Sequence, residues 1–296
     1  MRKLDIYKDI KQGERGAWVS IGAYLFLSAV KLAGGFWFAS EALVADGVNN
    51  LTDIVASVAV LIGLRISRKP PDRDHPYGHL RAETIAALIA SFIMALAGIQ
   101  VLIQSVQSLW SGDRGVPDLL SFWLSLFCAG FMYGVYRYNR RLAYKINNQA
   151  LLAAAQDNRS DALVSLGAAA GILGAQFGLP WLDPIAALAV GIIICRTAWE
   201  IFRDATHALT DGFDESKLEA MRVTIKRIKG VQEIKDIKAR VHGSNVLVDV
   251  VVLVDPQLSL IQSHQICDEI ERKMMQKHNI MNIHVHVEPH TRDHRQ

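Results

Sequence analysis

Through the first two thirds of the chain, long apolar runs recur near residues 16–38, 41–66, 82–110, 117–138, 148–177 and 181–203. A bilayer core about 30 Å thick takes about 20 mostly apolar residues in a helix. Each run is therefore expected to cross a membrane. The connections ASE, SGDRGVPD and GLPWLDP join the first span to the second, the third to the fourth and the fifth to the sixth, and Arg114 is their one basic residue. The opposite side carries Arg2, Lys3, Lys8, Lys11 and Arg15, then Arg65, Arg68, Lys69, Arg73 and Arg81, then Arg137, Arg140, Arg141 and Lys145. Basic residues stay on the cytoplasmic side, so both termini are expected in the cytoplasm. Trp37, Trp110 and Trp181 fall near the predicted outer ends, as an interfacial aromatic belt would have them. The opening MRKLDIYKDIKQGERG is charged for too long to resemble a cleaved signal peptide, so the first span is expected to remain.

After about residue 210 the pattern changes. ESKLEAMRVTIKRIKG reads as an amphipathic helix, EIKDIKARVHG and NVLVDVVVLVD as strands, SLIQSHQICDEIERKMMQKHN as a second helix and IMNIHVHVEP as a last strand. Two domains follow: an all-α, six-helix membrane domain over 1–208, and a small cytoplasmic α+β domain over 209–296 with helices on one face of a sheet.

Composition agrees, because 51% hydrophobic and 21% charged residues must be segregated for both to fold. A net charge of +3, with no basic stretch interleaved with aromatics, excludes nucleic acid as the expected partner. Cys128, Cys195 and Cys267 lie far apart without CxxC spacing, so neither a disulfide framework nor a cysteine metal site is expected.

The second span contains DGVNNLTD. On a helix turning about 100° per residue, Asp46, Asn49, Asn50 and Asp53 share one narrow sector. The fifth span repeats the device in QDNRSDALVS, where Asp157 and Asp161 are four residues apart. Charge within a bilayer is costly, so an intramembrane ionisable residue points first to function. Structural ion pairing with Lys31 or Arg159 is the alternative. Three carboxylates and an amide oxygen together suit a divalent cation.

These features resemble the cation diffusion facilitator family over nearly the whole chain: six spans, NxxxD in the second, DxxxD in the fifth, then a cytoplasmic ferredoxin-like domain. The resemblance implies a transport site of Asn49, Asp53, Asp157 and Asp161 in a homodimer of the cell membrane that exchanges a cytoplasmic divalent metal for external protons. It implies no resident cofactor. Asp46 and Asn50 would line the pore or support the ligands. Zinc-preferring members typically place histidine in the quartet. Here the quartet offers only oxygen, and all ten histidines fall outside the six predicted spans. Oxygen ligands suit Mn²⁺ and Mg²⁺ and imidazole suits zinc, so the set resembles the manganese-exporting branch, with Fe²⁺, Zn²⁺ and Co²⁺ as alternative cargoes. Crowded carboxylates without a metal invite protons, and metal binding expels them, which is antiport in outline.

The resemblance also marks Asp72, His75 and His79 in KPPDRDHPYGHLRAE as a peripheral metal site, although a solvated loop accounts for them too and Pro76 and Gly78 interrupt a helical face. It implies a salt bridge between Arg81 and Asp211, and regulatory metal ligands at Asp249, His264, His286 and Glu288. Lys235 and Val251 stand where zinc-binding relatives have histidine. His284, His286 and Glu288 alternate along one strand face, which a polar solvated surface explains as well. TRDHRQ reads as a solvated tail. Two other functional classes are kept. An intramembrane enzyme would use an aspartate pair as acid and base, but its usual signature is missing and no enzyme activity is expected. A metal sensor would keep its function without the aspartates.

Overall fold

The computed structural model describes residues 3–37, 41–111, 119–177, 179, 182–280 and 282–290. Side chains are described for these except at 3–10, 35–37, 41–49, 51, 52, 111, 175, 176, 182–184, 186 and 187. The connections ASE, SGDRGVPD and GLPWLDP fall largely outside the described residues, as do Trp181 and the TRDHRQ tail. The chain divides into two compact units, Met1–Ala205 and Thr206–Gln296.

The first unit is built from α1 (Lys3–Trp37), α2 (Glu41–Ser67), α3 (Ala82–Ser111), α4 (Leu119–Ile146), α5 (Gln149–Gln176) and all but the last four residues of α6 (Leu182–Leu209). α5 packs against α1, α2, α3 and α4. Three helices run well past the expected spans. α1 starts at Lys3, α4 continues to Ile146 and α6 to Leu209. Lys, Glu, Gln and Arg are good helix formers, so the helix continues where the apolar run has ended. Lys11–Gly34, Ala82–Trp110 and Leu119–Ile146 are long and apolar enough to cross a bilayer on composition alone.

Along α3 the large residues Ile85, Ile89, Phe92, Leu96, Ile99 and Ile103 are exposed, while Ala86, Ala87, Ala90 and Met94 are buried. Bulky apolar groups outside and mostly small ones inside suit hydrocarbon as solvent, where helices associate by close packing. At Gly63 of α2 an added Cβ would collide with Ala86 Cβ and come 3.0 Å from the Ala82 carbonyl oxygen. Gly63→Ala is therefore expected to push α2 from α3 and to cost about 1–3 kcal/mol, read as a lower melting temperature in detergent. An unchanged melting temperature would mean that the helices part freely.

α4 and α5 meet at consecutive asparagines. Asn147 takes a left-handed φ of 51°, which ends α4, and Asn148 Oδ1 accepts from Leu151 N at 2.8 Å, which starts α5. Asparagine suits both roles because it tolerates that backbone region and caps helix starts. The other Asn148 side-chain atom, Nδ2, donates to the fully buried Glu83 at the start of α3.

The second unit holds α7 (Glu215–Lys226), β1 (Glu233–His242), β2 (Asn245–Val254), α8 (Leu260–His278) and β3 (Asn282–Pro289). This is the expected order of helix, two strands, helix, strand. The sheet order is β1-β2-β3, with β1 antiparallel and β3 parallel to β2. Gly243, at φ 61°, makes the tight β1–β2 turn that positive φ allows. Asp214 caps α7 by accepting from Ser216 N and Lys217 N, and Ser259 and Gln262 form a reciprocal capping box on α8. Val248, Val250, Val252 and Val254 alternate inward from β2 and pack with Met221 and Ile225 of α7 and Ile266, Ile270 and Met274 of α8. The opposite sheet face mixes Leu247, Val251 and Leu253 of β2 with polar residues such as Asp249.

Candidate metal centres

The polar stripes of α2 and α5 meet inside the helical unit. Asp53 is 5% exposed and Asp157 is 9% exposed. One carboxylate oxygen from each of Asp53, Asp157 and Asp161 lies within 4.8 Å of the others. Three acidic groups this close, two of them buried and Asp161 half-buried, form a strongly cation-seeking cluster. The side chains of Asn49 and Asp46 lie outside the described residues. Asn50 is buried on the same helix, and Lys31 Nζ of α1 donates to its Oδ1 at 3.4 Å. At 3% exposure Lys31 does not snorkel outward. Arg159, by contrast, is exposed while Asp157 and Asn158 beside it are buried, which turns its guanidinium away from the acidic stripe.

Sequence reading missed a contribution from α1. Tyr24 is fully buried, and its hydroxyl donates to Asp157 Oδ2 at 3.2 Å and also meets Asp161 Oδ2. Four residues earlier, Ser20 Oγ accepts from Asn139 Nδ2 of α4 at 2.8 Å and from Asn158 Nδ2 of α5 at 3.0 Å. Tyrosine is apolar along most of its length, so within AYLFL it reads as a lipid-compatible aromatic. The available signal was spacing. Ser20, Tyr24, Leu27, Ser28 and Lys31 recur at helical intervals and are all buried.

In the connection after α2, a turn does what a helical face could not. Asp72 Oδ1 accepts from the backbone of Asp74 and His75 at 3.1 and 2.7 Å. His75 Nδ1 lies 3.2 Å from Asp72 Oδ1, His79 Nε2 lies 3.5 Å from Oδ2, and the two imidazoles have centroids 4.2 Å apart. Ligand atoms of all three residues lie within 4.8 Å of one another. The His75 backbone N–H, helped by its ring, holds the Asp72 carboxyl below the usual carboxylate range. Asp72 thus stays ionised and ready for a cation.

In the second unit, Asp249, His284, His286 and Glu288 share the sheet face turned away from the helices, with His284 Nδ1 at 3.9 Å from Asp249 and His286 Nε2 at 3.7 Å from Glu288. Lys235 Nζ bonds Glu288 at 2.7 Å, so an ammonium already answers that carboxylate. His264 stands apart on α8, with Nε2 4.0 Å from Asp268. Among the described residues these candidates form no group of three converging ligands. Asp211, at a left-handed φ of 61°, lies 3.6 Å from Arg240 Nη1.

Residues 17–210 match the family profile of the cation efflux transmembrane domain, and residues 213–290 match that of the cation efflux protein cytoplasmic domain, a dimerisation module. The chain is 57% identical over 286 residues to the manganese efflux system protein MneS of Bacillus subtilis (strain 168), covering 97% of this chain and 99% of that protein. It is 53% identical over 282 residues to the uncharacterized transporter YdbO of the same organism, covering 95% and 97%. To the manganese efflux system protein MneP, also of that organism, it is 32% identical over 283 residues, covering 93% and 95%.

Proposed function

Since the chain belongs to the cation efflux, or cation diffusion facilitator, family of multi-pass membrane transporters, we propose that it exports Mn²⁺ from the cytoplasm in exchange for protons. The observation that carries this reading is the convergence of Asp53, Asp157 and Asp161 inside the helical unit. Asn49, one turn before Asp53 on the same stripe, supplies the fourth oxygen. The set contains no imidazole and no thiolate, which favours a hard, oxygen-seeking ion. Similarity to MneS and MneP points to the same cargo.

The exchange follows from charge. With no metal present the crowded carboxylates hold protons, and a divalent ion displaces them. Helix tilting then opens the site alternately to either side, as in other secondary transporters. The transporter works as a homodimer in the cell membrane with both termini cytoplasmic. Asp72, His75 and His79 form a peripheral site, and Asp249, His264, His286 and Glu288 supply regulatory binding on the cytoplasmic domain.

The test is metal-driven proton movement in proteoliposomes, with Mn²⁺ compared against Zn²⁺, Fe²⁺ and Co²⁺. Wild type is expected to respond most strongly to Mn²⁺. Asn49→His, which replaces an oxygen with imidazole, is expected to move the Mn²⁺/Zn²⁺ preference toward Zn²⁺ by about tenfold or more. A wild type driven better by Zn²⁺ would overturn the choice of cargo, and no flux with any of these metals would overturn antiport.

A further inference from the structure

Asp157 and Asp161 are joined by a side chain from another helix. Tyr24 projects from α1 and places its hydroxyl on Oδ2 of both aspartates. Its ring is fully buried in a cluster with Leu27 of α1, Cys128 and Met132 of α4, and Ala162 of α5. The ring is therefore held on several sides, and the hydroxyl has little freedom to leave the carboxylates. We propose that Tyr24 is a positioning residue of the transport site, one that sets how Asp157 and Asp161 present their oxygens to the ion. This rests on the reading of those aspartates as metal ligands.

The chemistry is that of an outer hydrogen bond to a ligand. An ionised carboxylate has two oxygens and about four lone-pair directions. The single phenolic proton is shared between the two Oδ2 atoms, which leaves Oδ1 of each as the unhindered donor, so each aspartate is steered toward giving the ion one oxygen rather than chelating with two. Such a bond also fixes the rotation of each carboxylate before the ion arrives. The ordering cost is then met in folding and does not weaken binding. Partners of this kind typically change metal affinity by about 10–100-fold when removed. A one-oxygen mode at two aspartates leaves room in the coordination sphere for water or for Asn49, which suits an ion of high coordination number better than one that prefers four ligands.

Tyr24→Phe keeps the ring and deletes only the hydroxyl, so it separates positioning from packing. Met132→Leu disturbs the ring's packing and keeps the hydroxyl. The full-length protein in detergent would be titrated with Mn²⁺ and with Zn²⁺, and bound Mn²⁺ examined by electron paramagnetic resonance. Tyr24→Phe is expected to raise the Mn²⁺ Kd by about tenfold or more, to narrow the Mn²⁺/Zn²⁺ preference and to alter the Mn²⁺ spectrum, with Met132→Leu within about threefold of wild type. A Tyr24→Phe protein within about threefold of wild type and spectrally unchanged overturns the proposal, as does an equal loss in both variants, which would make the effect one of packing. Asp157→Asn serves as the control on the underlying reading. If it loses Mn²⁺ while Tyr24→Phe does not, only the role of Tyr24 fails. If it too binds Mn²⁺ like wild type, the transport site itself is misassigned.

Discussion

Asp157→Asn is expected to reduce Mn²⁺-driven proton flux by at least about 100-fold, the largest effect of any single change in the helical unit. The substitution hardly alters volume. It removes one of the three acidic groups gathered within 4.8 Å to meet the ion, on a side chain whose other oxygen accepts from Tyr24. Direct ligands matter more than the groups that orient them, whose loss alone costs about 10–100-fold in affinity. Folding should not suffer, because neutralising one member of a crowded acidic group relieves repulsion. The check is paired: proton flux in proteoliposomes, and melting in detergent without added metal. Full flux in a normally folded Asp157→Asn protein would reduce the intramembrane acids to a structural feature.

Ile270→Ala should have the largest effect in the cytoplasmic domain. Ile270 is fully buried at the centre of α8 and packs with Val250 and Val252 of β2. Truncating such a side chain costs about 2–5 kcal/mol, a large share of what a domain of this size holds in reserve. Amide exchange in the full-length protein would report it, since loss of 1.4 kcal/mol speeds globally protected exchange about tenfold. Amides of β2 are expected to exchange at least about 25-fold faster. Leu260→Ala is the contrast. Leu260 is 86% exposed, and its loss should stay within about 0.5 kcal/mol. Equal effects at both positions would place the stabilising core elsewhere.

The fold was legible where one rule dominated. Apolar runs located the six helices because the bilayer demands them, and valines alternating along β2 marked its inward face. Helix ends were less legible, since hydropathy stops at the membrane surface while α1 and α4 continue through charged residues that favour helix equally well. The acidic stripes were readable because recurrence at three, four and seven residues is a geometric statement. Tyr24 was hidden for the opposite reason: its one polar atom sits at the tip of an apolar ring, and only folding brings that atom to α5. The loop triad shows a third case. Pro76 and Gly78 do prevent a helical face, but the backbone turn around Asp72 gathers the same side chains by another route. On the cytoplasmic sheet, Lys235 reaches Glu288 across strands whose pairing no local pattern specifies.

Asn148 has a consequence for chain length. By accepting from Leu151 N and donating to Glu83, it fixes where α5 begins and against which helix. An α-helix advances about 100° per residue, so the azimuth of Asp157 and Asp161 is counted off from that anchor. One residue inserted between Asn148 and Asp157 would swing both acids about a quarter turn or more away from Asp53, with every ligand still present in the chain. The spacing is a phase setting, and a frame of that kind tolerates substitution on its outer face far better than any change of length.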